Sequence, residues 1–298
     1  MSRLQVLSDA QWELIADQLP KPTGRKGRPF ADARLMVEGI IYRYRCGIAW
    51  RDLPEVFGPW QTVWTWHRRL AAEETWEKIL AQLRAQADAE GLIDWTASVD
   101  STAARAHQHA TNITGHTGAS SNCTNPSAEP PDHAVGRSRG GLTSKVHQLV
   151  EGHGLPLATI ISPGQANDAP VLTPLVEQIR VPRLGPGRAR TRPDELLGDK
   201  AYSSRAIRTY LQERGITATI AEPDDQKRHR RNRGTKGGRP PKFNAQRYKG
   251  RNIIERGFCH LKQWRGIATR YDKLATTYRA AALLHGVTAW TKHLSDTL

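Results

Sequence analysis

The chain has 298 residues, enough for two domains with a sizeable core, and its three cysteines are too few and too scattered for a disulfide framework. Its formal charge of +15 and pI of about 10.1 predict a polyanionic partner, without deciding between DNA, RNA and an acidic membrane. No signal peptide is visible and no apolar stretch approaches the length of a membrane span, so we expect a cytoplasmic protein with no membrane partner.

Residues 1–84 are predicted to form a small all-α domain. Apolar residues at helical spacing predict helices from Ser8 or Asp9 up to Pro20, from Asp32 to Arg45 and from Gln61 to Leu70. The side chains expected in the core of the second and third helices are Leu35, Ile40, Ile41, Trp60, Val63, Trp64 and Leu70.

The third of these helices offers a polar and basic face. A short helix or turn at Trp50–Pro54 and a break at Gly58–Pro59 precede it. This order is typical of a helix-turn-helix unit, whose second helix contacts DNA, and it makes Arg68 and Arg69 candidate DNA contacts. The alternative is a helical domain that packs its tryptophans without touching DNA.

A linker over 85–92 is predicted to lead into a second domain, residues 93–298. Its first strand is predicted over Ile93–Thr102, where apolar and β-branched residues alternate with others. Asp94 and Asp100 share a face of this strand, because they are an even number of residues apart. We prefer Asp100 as the functional acid, since it stands where the strand is expected to end.

A polar segment rich in Ser, Thr, Asn and Pro follows, up to about Gly141, and is predicted to be a long loop. It contains His107, His109, His116 and Cys123. Their spacing matches no standard zinc pattern, so we expect no zinc site there.

The middle of the second domain alternates predicted strands and helices. A short apolar run ends at Asp199, in Gly-Asp-Lys-Ala-Tyr, and makes Asp199 the second acidic candidate. A lone aspartate at a strand end is more often a turn or helix-capping residue, so this candidate depends on its partners. The other predicted elements are a hairpin of Leu142–Val150 and Leu155–Ser162, a helix over Val171–Ile179, a helix over Ser204–Arg214 and a strand over Ile216–Ala221.

The segment between Gln226 and Lys242 holds eight Lys or Arg residues and no acid. Because Gly and Pro interrupt it, we predict a flexible loop that contacts phosphates, with Arg228, Arg230 and Arg231 as candidates. The alternative is a solvated loop without a ligand. The glycines and lysine here are in the wrong order for a nucleotide-binding loop, so no nucleotide partner is expected.

Near the C-terminus, Tyr248, Arg251, Glu255 and Lys262 fall within roughly a 60° arc if the segment is one α-helix. One carboxylate among a phenol, a guanidinium and an ammonium suits a metal-bound phosphodiester, since the acid can hold a cation and the other groups phosphate oxygens. The alternative is a solvated polar face with a Glu–Arg pair. A final apolar helix is predicted over Arg279–Leu294.

The spacing Tyr-x2-Arg-x3-Glu-x6-Lys resembles the signature of one large group of bacterial insertion-sequence transposases of the DDE type, on the IS-five side of the IS-four/IS-five-like superfamily. The sequences around Asp100 and Asp199 resemble the group's two upstream acidic motifs, and the likeness spans nearly the whole chain, more loosely at its N-terminal end. It implies an α/β architecture: an RNase H-like mixed-sheet catalytic domain, preceded by a small all-α helix-turn-helix-like domain that recognises element ends.

The resemblance also implies a metal-dependent enzyme of the bacterial cytoplasm, associated with the nucleoid. Asp100, Asp199 and Glu255 would be its catalytic acids and would bind Mg²⁺ or Mn²⁺, with two ions per site. Residues Tyr248, Arg251 and Lys262 would hold the DNA backbone. The expected partners are double-stranded DNA, as terminal inverted repeats and as target, and a second copy of the chain that brings two ends together.

Two other functions stay open at this point. A structure-specific nuclease of the same fold would use the same acids but cut without joining. An inactive or co-opted relic would bind DNA and leave the acids idle.

Overall fold

The N-terminal region is helical, as predicted. The computed structural model describes residues 6–21, 31–111 and 133–297. The first helices are α1 (Asp9–Ala16), α2 (Ala33–Cys46), α3 (Trp60–Ala72) and α4 (Thr75–Ala89), with 3-10 turns at Trp50–Asp52 and Glu55–Phe57 ahead of α3.

Local chemistry fixes where the first two helices begin and end. Ser8 and Gln11 form a reciprocal capping box on α1, and the Asp32 carboxylate accepts the first free N–H groups of α2. Helix α2 ends at Gly47, whose φ of +68° is left-handed. A Cβ at Gly47 would lie 2.7 Å from the Cβ of Arg265, so this close approach of the C-terminal part of the chain also requires glycine.

Two side chains predicted for the helical core are exposed. Leu35 and Trp64 are each 37% exposed, so their assignment to the core was wrong. The buried stripe of α3 is instead Val63, Trp66, His67 and Leu70, which follows the i, i+3, i+4, i+7 spacing of one helical face. Trp64 lies outside that stripe.

The predicted linker over 85–92 falls mostly inside α4. This helix continues to Ala89, with Ala85 and Ala87 buried, so the helical face that packs inward runs through the segment. Helix α4 packs on the C-terminal helix of the second domain, described below. The division into two domains remains a prediction.

The part of the chain that follows α4 is built on a seven-stranded mixed sheet, which confirms the expected RNase H-like architecture. Its main path runs β2-β3-β1-β5-β6, with β4 on β3 and β7 on β1. Strands β3 and β4 are antiparallel partners, whereas β5 and β6 run parallel to β1. The strands are β1 (Thr96–Ala106), β2 (Gly136–Ser138), β3 (Gly141–Val150), β4 (Pro156–Pro163), β5 (Glu195–Gly198), β6 (Thr217–Ile220) and β7 (Thr269–Arg270).

Strand β1 is longer than the sequence predicts. It runs to Ala106, so Asp100 lies in its middle and not at its end, and the expected polar loop begins later. Antiparallel pairing with β3 over the whole stretch from Ser98 to Arg105 explains the extension. Of the rejected zinc candidates, His116 and Cys123 lie outside the described residues.

The helices of the second domain mostly match their predicted positions. They are α5 (Leu172–Glu177), α6 (Arg205–Glu213), α7 (Asp224–Asn232), α8 (Ala245–Tyr248), α9 (Asn252–Gln263), α10 (Arg265–Ala268) and α11 (Ala275–Thr297). In α11, Leu283, Leu284, Val287 and Trp290 are buried as expected. No helix in the described ranges is long and apolar enough to cross a membrane.

The basic segment after Gln226 is partly helical, so its prediction as a loop was wrong. Arg228, Arg230 and Arg231 lie in α7, and a 3-10 turn follows at Gly234–Gly237. Asp224 and Asp225 in the first turn and basic residues in the last turn both suit the helix dipole. The glycines and prolines come only after this helix has ended.

The segment with the Tyr-Arg-Glu-Lys spacing is not one uninterrupted α-helix. Helix α8 ends at Tyr248, and a 3-10 turn over Lys249–Arg251 leads directly into α9. The tighter turn changes the angles between residues on either side of it. The predicted 60° arc therefore applies only approximately to Tyr248 and Arg251.

A buried polar cluster joins the N-terminal helices to the second domain. The Tyr44 hydroxyl donates to Asp272 Oδ1 at 2.9 Å and lies 2.9 Å from His67 Nε2, while Arg43 Nη1 approaches Asp272 Oδ2 at 3.5 Å. All four side chains are buried. Burial lowers the pKa of His67 to about 4, so this ring is neutral at physiological pH.

We predict that Asp272→Ala lowers the free energy of unfolding by about 3–5 kcal/mol, because it leaves the buried Arg43 guanidinium without its counter-charge. Urea denaturation of the metal-free protein measures the change. The exposed Asp296→Ala is the control and should stay within about 0.5 kcal/mol of wild type. Equal, small effects of the two changes would mean that Asp272 does not hold the two regions together.

Candidate active site

Asp100 and Asp199 lie side by side because of the register of two parallel strands. Val99 pairs with Gly198 as the last pair of the β1–β5 ladder, so the two aspartates follow at the same level. Adjacent strands are about 4.8 Å apart, which brings the two carboxylates close. Asp100 was preferred because of an expected strand end. What ends beside it is its neighbour β5, while β1 continues.

The surroundings of the Asp100 carboxylate raise its pKa. Burial raises its pKa most, and the nearby charge of Asp199 raises it further. The Ser101 N–H, which donates to Asp100 Oδ1 at 2.7 Å, and Arg251 act in the opposite direction. Because the net shift is upward, ionised Asp100 favours a further positive charge nearby.

Arg251 links Asp100 to Glu255. Its Nη1 lies 2.9 Å from Asp100 Oδ2 and its Nη2 lies 2.5 Å from Glu255 Oε1. The guanidinium is half-buried between the two carboxylates, whereas the Glu255 side chain is 51% exposed. The structure therefore brings three of the predicted residues into direct contact, across 151 positions of sequence for the Arg251–Asp100 pair.

The two remaining residues of the signature extend this surface along the chain. The Arg251 guanidinium lies 5.9 Å from the centre of the Tyr248 ring, and that ring in turn packs at 5.1 Å on exposed Phe243. Lys262 lies in the last turn of α9, exposed and without an ion-pair partner in the described part of the chain. Phe243 was not singled out from the sequence.

Asp199 caps a turn, which is the more common of the two roles considered for it. Its Oδ1 accepts the Ala201 N–H at 2.9 Å and so caps the 3-10 turn over Lys200–Tyr202. This bond fixes the carboxylate at the end of β5, beside Asp100. A capping function and a place in the acid cluster are thus compatible.

Sequence reasoning missed a polar group on the other face of β1. Asp168 Oδ1 accepts from Ser101 Oγ at 2.8 Å and from Lys145 Nζ at 3.0 Å, and lies 3.7 Å from His147 Nδ1. Burial lowers the pKa of His147 to about 4, so its ring is neutral. Ser101, Lys145 and His147 lie on one face of the sheet, because they occupy alternate positions of the paired strands β1 and β3. This cluster of polar residues on one face is the signal that could have pointed to an acidic partner such as Asp168.

The other predicted DNA contacts lie on separate surfaces. Arg68 stacks on Trp64 at 4.9 Å, and Arg69 pairs with Glu73 at 2.8 Å, both on the outer face of α3. In α7, Arg230 pairs with Glu222, while Arg228 and Arg231 are exposed. No hydrogen bond or ion pair among the described residues joins these arginines to the acids.

No group of three His, Cys, Asp or Glu side chains within 6–21, 31–111 and 133–297 is close enough to hold a metal ion. Between Asp100 and Glu255, the space that a metal ion would occupy is taken by the guanidinium of Arg251. His107 and His109 pack on each other, and His107 also packs on Tyr271.

Comparisons with known sequences agree with this geometry. The profile described as "Putative transposase of IS4/5 family" matches residues 7–80, and the profile described as "Transposase DDE domain" matches residues 93–290. The first covers the helical region and the second the whole sheet with all three acids.

Individual relatives are similar to parts of the chain, and two of the three described here are named as putative transposases. An uncharacterized protein y4sN of Sinorhizobium fredii is 38% identical over 104 residues, which are 35% of this chain and 79% of that protein. The putative transposase for insertion sequence element IS402 of Burkholderia cepacia is 30% identical over 48% of this chain and 60% of its own length. The putative transposase for element IS6501 of Brucella ovis is 26% identical over 50% of this chain and 98% of its own length.

The DDE profile matches well over half of the chain, and it falls on a mixed sheet whose register brings Asp100 and Asp199 to the same level. The chain therefore belongs to the DDE transposase family, on its IS4/IS5 side, whose general activity is metal-dependent DNA cleavage and strand transfer.

Proposed function

We propose that Asp100, Asp199 and Glu255 carry the DNA cleavage and strand transfer of this transposase. The observation that supports this most is that Arg251 contacts both Asp100 and Glu255, while strand register brings Asp199 to the level of Asp100. A strand residue and a helix residue, 155 positions apart, thus share one guanidinium close to the place where β5 ends.

We propose Mg²⁺ or Mn²⁺, two ions per site, as the metal that these acids hold. Carboxylates are the hard oxygen ligands that these ions prefer. The raised pKa of Asp100 and the cation already held between Asp100 and Glu255 support a site built for positive charge. A divalent ion bound there supplies Lewis acidity to the nucleophile and to the leaving oxygen.

Arg251 would exchange its partners when DNA enters. In the DNA-free protein both of its terminal nitrogens are held by carboxylates. A phosphodiester offers the same pair of acceptors, and a guanidinium binds phosphate in a bidentate way. Transfer of Arg251 to a phosphate would leave Asp100 and Glu255 free to bind metal. DNA and metal would thereby favour each other's binding.

The reaction would proceed in two steps at one site. The oxygen of a water attacks the phosphorus at the element end, and the 3′ oxygen leaves as a hydroxyl. That 3′-OH then attacks a phosphodiester of target DNA, whose own 3′ oxygen leaves. Tyr248 would donate its hydroxyl to a phosphate near the cut, and Lys262 would hold the next stretch of backbone as a point charge.

The arginines outside the site would divide the binding of DNA between them. Arg68 and Arg69, on the outer face of α3, would read the terminal inverted repeat, as the recognition helix of a helix-turn-helix does. Arg228 and Arg231 of α7 would contact phosphates without reading sequence. Arg230 would add less, since Glu222 already neutralises it.

A homodimer in a synaptic complex is part of the proposal, because two element ends must be held together before they are joined to one target. The mass of the complex formed with end DNA, measured by light scattering, reports this. A complex of one chain with one end throughout the titration would contradict it.

The acid assignment predicts that Asp100→Asn, Asp199→Asn and Glu255→Gln each abolish cleavage and joining of a labelled element end in Mg²⁺ and in Mn²⁺. End binding should stay within about threefold of wild type, since each change removes only a negative charge. Glu213→Gln, at an exposed position in the last turn of α6, is the control and should keep full activity. If the wild-type protein cuts the element end without joining it to target DNA, the result favours a nuclease. If it binds the end without cutting it, the result favours an inactive relic.

The exchange of Arg251 predicts opposite effects on two measurements. Arg251→Ala should tighten Mn²⁺ binding by the DNA-free protein about tenfold, or about 1.4 kcal/mol, because no cation competes for Asp100 and Glu255. The same change should lower strand transfer by losing the phosphate contact. Electron paramagnetic resonance of free Mn²⁺ measures the first effect, with exposed Arg256→Ala as control. Unchanged Mn²⁺ affinity would show that Arg251 does not compete with the metal.

The division of DNA contacts predicts a contrast between two double variants. Arg68→Ala with Arg69→Ala should reduce the ratio of end affinity to random-DNA affinity, whereas Arg228→Ala with Arg231→Ala should lower both affinities alike. Each lost phosphate contact should also reduce the salt dependence, the slope of log K on log salt, by about 0.9. Fluorescence anisotropy at several salt concentrations measures both. An unchanged ratio in the α3 variant would remove this helix as the reader of ends.

A further inference from the structure

The Tyr202 hydroxyl is buried and has no hydrogen-bond partner among the described residues. Its side chain is 1% exposed, and it closes the 3-10 turn that Asp199 caps. A phenol in the core normally finds a partner, because a desolvated hydroxyl without one is unfavourable. The packing of the ring alone does not explain why the oxygen is there.

Three carboxylates lie near enough to this hydroxyl to act on it electrostatically. Burial raises the pKa of Tyr202 most, and the charges of Asp168, Asp100 and Asp199 raise it further, in that order. The phenol is therefore protonated throughout the physiological range and can act as a donor. Tyr202 lies in the turn that follows β5. The charges that raise its pKa include those of Asp168 on one face of β1 and of Asp100 on the other.

Asp168 is linked to Asp100 through Ser101. It stands at the start of the 3-10 turn Ala169–Val171 without capping it, and its Oδ1 accepts from Ser101 and Lys145 instead. Ser101 is the residue whose N–H donates to Asp100 Oδ1. Asp168 thus fixes the residue that holds Asp100, from the side of the sheet opposite to Arg251.

We propose that Tyr202 and Asp168 are positioning residues of the metal site, with the Tyr202 hydroxyl reserved as a donor to a carboxylate oxygen or water molecule that a divalent cation orders. The inference rests on the proposed role of Asp100 and Asp199 as metal ligands. Residues that hold ligands in place from behind typically change metal affinity by about 10- to 100-fold when they are altered. Neither residue need touch DNA or the reacting phosphate.

A purely structural role for Tyr202 makes a different prediction. If the ring only fills space, Tyr202→Phe removes an unfavourable buried hydroxyl, raises the melting temperature and leaves metal binding unchanged. Tyr210 provides the matched case, since its hydroxyl is also buried and unpartnered in the described part of the chain, but lies on α6, where Arg214 and Glu177 are the charges that act on it.

The test is Mn²⁺ binding to the full-length, DNA-free protein, measured by electron paramagnetic resonance together with the melting temperature. Tyr202→Phe is expected to weaken Mn²⁺ binding by about 10- to 100-fold without lowering the melting temperature of the metal-free protein. Tyr210→Phe should bind Mn²⁺ as wild type does. Asp168→Asn should also weaken binding, with Asp168→Glu restoring part of the loss.

Asp100→Asn separates the failure of this inference from the failure of the proposed function. Loss of Mn²⁺ binding in Asp100→Asn, with wild-type affinity in both Tyr202→Phe and Asp168→Asn, would overturn the positioning role and leave the acids as ligands. Wild-type affinity in Asp100→Asn itself would overturn the acid site, and this inference with it.

Discussion

The end of the parallel β1–β5 ladder is the constraint on which the site depends. Parallel neighbours must keep one register, so Val99 opposite Gly198 determines that Asp100 and Asp199 follow at the same level. Strand β1 continues alone on that edge until it meets β7 at Arg105. The interval between the ends of two neighbouring strands leaves room for side chains from the turn after β5 and from the start of α9.

Charge balance governs the rest of the site. Two aspartates on adjacent strands repel each other, and the half-buried Arg251 offsets that repulsion while it also holds Glu255. Lys145 performs a comparable task for Asp168 on the opposite face of β1. Cations that belong to the protein thus offset part of the negative charge from both sides of the sheet, and the remaining negative charge favours a further cation.

The sequence was most informative where chemistry and periodicity coincide. The hairpin of β3 and β4, the helices α6 and α11, and the acidic motifs could be placed from spacing and resemblance. Errors arose where tertiary contacts decide the outcome. Pairing with β3 carries β1 beyond Asp100, and the buried stripe of α3 turns Trp64 outward. Helix α7 forms although glycines and prolines follow it, because acidic residues in its first turn and basic residues in its last turn suit the helix dipole.

The residues that could not be predicted share one property. Tyr202 stands in the Gly-Asp-Lys-Ala-Tyr motif, but its burial without a partner, like the contacts of Asp168, becomes visible only in the fold. A lone aspartate before a proline-containing turn and a tyrosine after Gly-Asp-Lys-Ala carry no sign of each other in the sequence.

The buried cluster of Arg43, Tyr44, His67 and Asp272 has a geometric consequence for the whole molecule. It fastens α2 and α3 to the segment between β7 and α11, and β7 is itself paired with β1, the strand that carries Asp100. A continuous series of contacts therefore links α3 to the strand that carries Asp100. If α3 binds the terminal repeat as proposed, the fold sets the distance between α3 and the acids. That distance then sets the number of base pairs between the recognised sequence and the cleaved bond.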